Sequence, residues 1–132
     1  MKAIVEFRSS AFPAYEEEEE EINPGRWGKR LAEFLKTKFQ ERGIQTGEIY
    51  FEDWGVGLPV LGQEFSTLVG CGNSEEQEEG YLCVVKLSPS LFQRLFGKGN
   101  VGNSLVEIKT ELDQILRESP EISGIRWSED EI

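Results

Sequence analysis

The chain has 132 residues, 38% of them hydrophobic, which suits one folded domain and is too short for two ordinary ones. It has no apolar run near the ~20 residues that span a bilayer, and it has no histidine, which excludes Ser-His-Asp and Cys-His catalysis and imidazole ligands for a metal. Acidic residues outnumber basic ones by 25 to 14, a net charge of −11. We therefore expect a cytoplasmic protein without a membrane partner, a cofactor, a bound metal or a catalytic apparatus.

The first predicted elements are a strand, a loop and a long helix. Apolar side chains alternate over residues 2–8, which predicts a strand with one buried face. A loop that contains the acidic run Glu16–Glu21 follows. Asn23 is a residue type that caps helices and a proline suits the first helical turn, so the apolar residues at helical spacing beyond them predict a helix over Pro24–Arg42. Two glycines weaken its first turn.

Four strands are predicted next. Their ranges are 44–51, 56–61, 64–70 and 81–87. The segment Glu52–Gly55 is typical of a turn, and residues 71–79 are typical of a hairpin loop between the last two strands. Because residues 81–87 are almost continuously apolar, we predict that they form a central strand covered on both faces.

The remainder of the chain predicts two helices and a strand. Leu91–Phe96 carries four large apolar side chains and is predicted as a short helix. A glycine-rich connector leads to a long helix over Asn103–Glu118, which opens with a capping box of Ser104 and Glu107. A strand over Ile122–Trp127 and an acidic tail complete the chain.

This order of elements predicts an α+β fold in which residues 1–132 form a single domain. Two long amphipathic helices on one face of a mainly antiparallel sheet of five to six strands would bury the apolar side chains of all these elements. The expected architecture is therefore a two-layer sandwich.

Two features resemble reactive sites but are interpreted as structural. Residues 97–102 match G-x-G-x-x-G, the glycine pattern of a dinucleotide site, but a predicted helix rather than a strand precedes them. Cys71 and Cys83 lie near the two ends of the predicted hairpin, so we expect them to be neighbours across strands. In a cytoplasmic chain we expect reduced thiols in the core, and no adjacent cation indicates that either is reactive.

Acidic residues are concentrated in three tracts that hold 13 of the 25. The tracts are Glu16, Glu17, Glu18, Glu19, Glu20 and Glu21, then Glu75, Glu76, Glu78 and Glu79, and finally Glu129, Asp130 and Glu131. Outside them, 12 acidic residues stand against 14 basic ones. The predicted helix 24–42 carries six basic residues against Glu33 and Glu41. The chain is therefore a near-neutral body with a basic helix and three acidic appendages.

The acidic tracts have three interpretations, and the sequence leaves all of them open. As solvated loops, the tracts keep the protein soluble and monomeric. As a binding surface, they meet a basic surface of another protein and steer its association. As an internal mask, Glu16–Glu21 lies across the basic helix. The predicted short helix at 91–96 is a further contact candidate, with packing onto the sheet edge as its structural interpretation.

We hypothesise a non-enzymatic, acidic protein-binding domain, such as an immunity or inhibitor protein that engages a basic surface of a toxin, nuclease or effector. The partner-binding residues would be the carboxylates of the first two tracts. The alternative is a small-ligand binder or an enzyme that uses the side chains of Glu52, Asp53 and Trp54. Nucleic-acid binding by the basic helix ranks below both, because core aromatic residues interrupt its cations.

Three short segments carry a resemblance to a family. Asn-Pro-Gly-Arg-Trp-Gly-Lys at 23–29, Glu-Asp-Trp-Gly at 52–55 and Gly-Cys-Gly-Asn at 70–73 resemble segments of small bacterial proteins of uncharacterised function, in the same order. The resemblance covers residues 23–127 and implies no particular activity. The run Glu16–Glu21 lies outside it.

Overall fold

The computed structural model describes residues 2–61, 66–74, 78–87 and 101–130. In these ranges the chain forms one antiparallel sheet of seven strands together with three helices, so the predicted α+β class is confirmed. The elements are β1 (Lys2–Ser9), α1 (Glu18–Glu21), α2 (Lys29–Glu41), β2 (Gln45–Thr46), β3 (Tyr50–Glu52), β4 (Gly55–Leu61), β5 (Ser66–Ser74), β6 (Gly80–Leu87), α3 (Val101–Glu118) and β7 (Ile122–Asp130).

The sheet has the strand order β2-β4-β5-β6-β1-β7, and β3 also pairs with β4. As predicted, β6 lies in the middle, between β5 and β1. The antiparallel register places Val5, Cys83, Cys71 and Val56 in one row across four strands. This row belongs to the face that we call the helix face, and all four side chains are completely buried. On the outer face, every second residue of β6 is only partly buried, so that strand is less covered than its apolar sequence predicts.

The core includes side chains of the sheet, of α2 and of α3. Leu31, Leu35 and Phe39 of α2 are fully buried, as are Ile108 and Leu112 of α3. These residues recur at helical spacing, so each helix turns one apolar stripe toward the sheet. Helix α2 packs against β4 and β5, α3 packs against β5, β6 and β7, and the two helices also contact each other. Burial of each side chain of this size contributes about 1.5–3 kcal/mol to the free energy of folding.

Helix α2 begins at Lys29 and not at Pro24, so the predicted start was wrong. Asn23 does not cap the helix; its Nδ2 donates instead to the backbone carbonyl of Asp53 at 2.8 Å. The intervening residues form a tight turn, because Gly25 has a left-handed backbone with φ of 79° and the Arg26 N–H donates to the Asn23 carbonyl at 3.0 Å. Glycine tolerates this conformation, which a helix cannot include.

The strands also differ from prediction in two places. The predicted strand 44–51 is two short strands, β2 and β3, which both pair with β4. Between them Gly47 lies against Pro59, and its N–H donates to the Pro59 carbonyl at 2.9 Å. Residues 71–74, predicted as loop, continue β5 and pair with β6 as far as Ser74 opposite Gly80.

The ends of the last elements differ as well. Helix α3 already runs at Val101, so Ser104 lies inside the helix and is not its N-cap. Glu129 and Asp130, predicted as a tail, are the last residues of β7, opposite Ala3 and Lys2. The predicted short helix at 91–96, the connector residues 97–100, and Glu75, Glu76 and Glu131 lie outside the described residues. Within the described ranges, no helix combines the length and apolar character needed to cross a membrane.

Candidate functional site

Asn73, near the end of β5, fastens the loop before α2 to the sheet. Its Oδ1 accepts the Trp27 N–H at 3.0 Å, and its Nδ2 donates to the Gly25 carbonyl at 2.9 Å. Its own N–H donates to the Trp27 carbonyl at 3.0 Å, and its carbonyl accepts the Arg26 guanidinium at 3.5 Å. Because Asn73 is only 5% exposed, these bonds satisfy a buried amide and hold residues 25–27 in one arrangement.

The turn between β3 and β4 closes on the same place. Gly28 and Gly55 both approach the Cys71 carbonyl so closely that a Cβ on either would overlap it. Asn23 adds the hydrogen bond to Asp53 of the turn. The three segments that carry the family resemblance are therefore distant in sequence but in contact in the structure, and we call this contact region around Asn73 the junction.

Trp54, at the tip of this turn, lies on the outer face of the sheet. A Cβ at Gly70 would overlap its indole ring, and a Cβ at Gly72 would lie 3.1 Å from its carbonyl oxygen. Gly70 thus leaves the space that the ring occupies, and Gly72 leaves room for the Trp54 backbone. One side of the ring faces solvent, since Trp54 keeps 40% of its surface exposed.

Beside Trp54 is a cavity of about 380 Å³, which we call the basic cleft. It is lined by Lys2, Arg26, Trp54, Gly72, Asn73, Leu82, Val84 and Lys86. Among these described lining residues there are three cations and no carboxylate, although the chain has 25 acidic and 14 basic residues. Leu82 and Val84 lie opposite Gly72 and Gly70 on β5, so the cleft joins an apolar floor to an aromatic wall and a basic rim.

The predicted acidic-aromatic site is divided by the structure. Trp54 lines the basic cleft, but Glu52 and Asp53 do not line it. Both of these residues are exposed, and the group that Asp53 contributes to the junction is its backbone carbonyl. The turn therefore supplies the Trp54 ring to the cleft and the Asp53 carbonyl to the contact with Asn23, and the two carboxylates do not line the cleft.

Glu18, from the middle of the first acidic tract, is buried, with 2% of its surface exposed. Its Oε2 accepts the N–H groups of Gly28 and Lys29, each at 2.8 Å, and its Oε1 accepts the Tyr15 N–H at 2.9 Å. The N–H groups of Gly28 and Lys29 lie at the start of α2, where backbone amides have no partner within the helix. Glu18 is therefore the N-terminal cap of α2, supplied from upstream in the chain, and its charge also suits the positive end of the helix dipole.

The other residues of the first two tracts that the structure describes are exposed. They are Glu16, Glu17, Glu19, Glu20, Glu21, Glu78 and Glu79, and we call the region that they form the acidic end. Tyr81 connects the two tracts: burial raises the pKa of Tyr81, and the charges of Glu79 and Glu18 raise it further. The Glu79 carbonyl also accepts the N–H of Ser9, at the end of β1. Glu129 and Asp130 of the third tract lie at the opposite end of β1, opposite Ala3 and Lys2.

A second cavity, of about 600 Å³, opens at the acidic end. Glu78 and Glu79 line it, together with Gly25 and the aromatic residues Trp27 and Tyr81. The indole N–H of Trp27 donates to the Tyr81 hydroxyl at 3.1 Å. We call this space the acidic-end cavity.

Two cations of the predicted basic helix, Arg30 and Arg42, contact groups other than the acidic run. The guanidinium of Arg30 lies 3.9 Å from the centre of the Tyr15 ring and donates to the Pro13 carbonyl. Arg42 forms ion pairs with Glu111 and Glu118 of α3. The internal-mask interpretation requires the exposed carboxylates of Glu16–Glu21 to lie across the basic helix. These two cations contact other groups instead.

Cys71 and Cys83 are direct neighbours on β5 and β6, as predicted, and both are free, fully buried thiols. Hydrogen bonding with Cys71 and burial raise the pKa of Cys83 well above its ordinary value. A thiol held in the neutral form is a poor nucleophile at neutral pH. The pair therefore belongs to the core.

The chain matches no family model, no curated protein and no solved structure. In the described ranges, no group of three or more His, Cys, Asp and Glu side chains is placed to hold a metal ion. Arg26, Lys86 and Asn73 are the site residues that the sequence analysis missed. For Arg26 and Asn73 a signal was present, since each lies within a segment that carries the family resemblance.

Proposed function

We propose that the protein is a non-enzymatic binding domain whose acidic end engages a basic surface of another protein. The observation that carries this proposal is the meeting of two separate acidic tracts at one end of the sheet. Seven described glutamates of these tracts are exposed, and two of them, Glu78 and Glu79, line the acidic-end cavity. An immunity or inhibitor protein of a toxin, nuclease or effector is the class that fits such a surface.

The anchoring of the first tract supports a specific surface over a merely solvated loop. Glu18 fixes the run to the start of α2 through two backbone hydrogen bonds, and a third bond holds the Tyr15 amide. Its exposed neighbours are therefore held in a turn of defined shape, and ordering them on binding costs little conformational entropy.

The acidic-end cavity supports the same proposal. Its carboxylates and aromatic rings are the groups that attract lysine and arginine side chains, by charge and by contact with the π face. A basic side chain of the partner entering between Glu79 and Trp27 would be the anchor of the interface.

The expected two-layer arrangement is part of the proposal. With both long helices on one face of the sheet, the acidic end is formed by the loops at one edge of the layers. A partner reaches it without displacing the core. The family resemblance at 23–29, 52–55 and 70–73 is likewise retained as a proposal, and it places the junction at Asn73 inside the shared region.

The test uses two variants with equal net charge as baits for affinity capture from the native host. In one, Glu16, Glu17, Glu19, Glu20 and Glu21 are all changed to Gln. In the control, Glu41, Glu48, Glu52, Glu107 and Glu121 are changed to Gln. Each has five fewer negative charges than the wild-type chain, at −6 against −11. Glu18 is left intact in both, because it caps α2.

We expect a protein partner that the wild-type and control baits capture and the acidic-end variant loses. Its capture should also fall between about 0.1 and 1 M salt, where the Debye length shrinks from about 10 to 3 Å. Quantitative mass spectrometry measures both effects. If every captured protein is retained equally by the two variants, the acidic end is only a solvated surface and the proposal fails.

A further inference from the structure

The basic cleft has an apolar part of defined shape. The Trp54 ring lies on Gly70 of β5 and exposes one side, and Leu82 and Val84 form the adjoining floor. A flat apolar group placed here would contact the ring and the two side chains at once. Exposed aromatic faces of this kind are favoured stacking surfaces.

The rim of the cleft has the opposite chemistry. Lys2 and Lys86 lie directly opposite each other on β1 and β6, an arrangement of like charges that is unfavourable by itself. Asp130 of β7 lies opposite Lys2 on the other side. Arg26 approaches from the loop before α2, and with Lys86 it gives the cleft two cations from separate elements.

The concentration of positive charge runs against the composition of the chain. The chain carries a net charge of −11, yet the described residues that line the cleft bring together three cations without a carboxylate. The volume of about 380 Å³ lies in the range of small-molecule sites, which runs from roughly 300 to 1,000 Å³. Its combination of apolar walls with a few convergent polar groups is also typical of such sites.

We infer that the basic cleft binds a small aromatic anion. Its planar ring stacks on Trp54 over Leu82 and Val84, and its carboxylate or phosphate meets Arg26 and Lys86. Lys86 offers a point charge to the anionic group, and the guanidinium of Arg26, which also donates to the Asn73 carbonyl, adds a second cation at the rim. This site is separate from the acidic end, and none of the five glutamates in the capture variant lines it.

The test titrates purified protein with naphthalene-2-carboxylate and, as a matched neutral probe, with naphthalene-2-carboxamide, at about 0.15 M salt. Acetate serves as the anion without a ring. Amide chemical shifts in NMR spectra locate the probe and give its dissociation constant. We expect saturable binding of the carboxylate with a dissociation constant of about 1 mM or below, from the usual affinity per atom of small ligands. The carboxamide and acetate should each bind at least about tenfold more weakly, since each lacks one of the two contacts.

Variants assign the binding to the cleft. Trp54→Ala should weaken both naphthalene probes, whereas Lys86→Gln and Arg26→Gln should weaken only the carboxylate, by about tenfold each. Phe51→Ala and Lys36→Gln are the matched controls, because they remove an aromatic group and a cation that do not line the cleft. Both should leave the affinity unchanged.

Three results would overturn the inference. They are equal affinity for the carboxylate and the carboxamide, binding that Trp54→Ala leaves intact, and shifts that map away from residues 82–86. Lys86 lies on a central strand and Trp54 on an exposed turn, so the circular dichroism of their variants should match the wild type. Arg26→Gln alone could disturb the junction at Asn73, and for that reason Lys86→Gln carries the charge test.

Discussion

Glu18 is one of six consecutive glutamates, yet it is the one whose carboxylate is buried and bonded to three backbone amides. We predict that Glu18→Gln destabilises the protein strongly, while Glu19→Gln, the same change one residue later, has almost no effect. The two variants have equal length and equal net charge. Any difference between them therefore reports the environment of a single side chain.

The magnitude follows from the three hydrogen bonds. A glutamine has one oxygen, so its best orientation keeps the amides of Gly28 and Lys29 and turns an NH₂ group toward the N–H of Tyr15. One bond to a charged acceptor, worth about 1.5–3 kcal/mol, is lost. The two remaining bonds become neutral ones, and the interaction with the helix dipole, about 0.3–1 kcal/mol, is lost too. We expect a decrease of about 2–4 kcal/mol in the free energy of unfolding, out of the roughly 5–15 kcal/mol of a typical domain.

Urea unfolding followed by tryptophan fluorescence and circular dichroism measures the effect. For Glu19→Gln, an exposed surface change, the free energy of unfolding should stay within about 0.5 kcal/mol of the wild type. Hydrogen exchange provides a local check, since the Tyr15 amide, whose bond to the carboxylate is lost, should lose protection in Glu18→Gln alone. If the two variants unfold at the same urea concentration, the carboxylate of Glu18 does not cap α2 and the reasoning is refuted.

Two further predictions concern buried polar groups. Asn73→Asp should lower the free energy of unfolding by about 1–3 kcal/mol, because it removes the buried donor to the Gly25 carbonyl. Asn23→Asp removes an exposed donor and should lower the free energy of unfolding, measured with urea, by less than about 1 kcal/mol. Equal losses in the two variants would contradict the assignment of Asn73 as the junction. The raised pKa of Cys83 means that the folded state holds its proton more tightly than the unfolded state, whose thiol pKa is about 8.5. Its contribution to stability is therefore complete below that pH and is lost as the pH rises above it, with a slope that approaches about 1.4 kcal/mol per pH unit. Unfolding measured from pH 7 to 10 should show this decline in the wild type and a shallower one in Cys83→Ala, and an unchanged slope would contradict it.

Local patterns in the sequence predicted most of the fold. The alternation of β1, the apolar stripes of α2 and α3 and the central position of β6 all depend on residues within one element, so a single sequence suffices for them. The start of α2 was mispredicted because Asn23 and Pro24 have the composition of a helix start, whereas the actual cap is Glu18. A glutamate inside an acidic run has no local feature that marks it as buried.

The basic cleft could not be predicted from the sequence for a similar reason. Its floor consists of Leu82 and Val84, which alternate with the core residues of β6 and so read simply as the second face of a covered strand. Lys2 and Lys86 are 84 positions apart and meet only through the pairing of β1 with β6. Trp54 was singled out in advance, but as the partner of two carboxylates that the structure places outside the cleft.

The loop between Asn23 and Gly28 separates two cavities of opposite charge. Gly25 and Trp27 line the acidic-end cavity, Arg26 lines the basic cleft, and Asn73 borders both. The same hydrogen-bonded loop therefore forms part of the lining of both cavities. Thermodynamic linkage requires any effect between the sites to be reciprocal. If a ligand in one cavity changes the affinity of the other cavity by some factor, a ligand in the other cavity changes the affinity of the first by the same factor. A double titration would measure this one coupling constant, and its structural origin would lie in the six hydrogen bonds of Asn23 and Asn73.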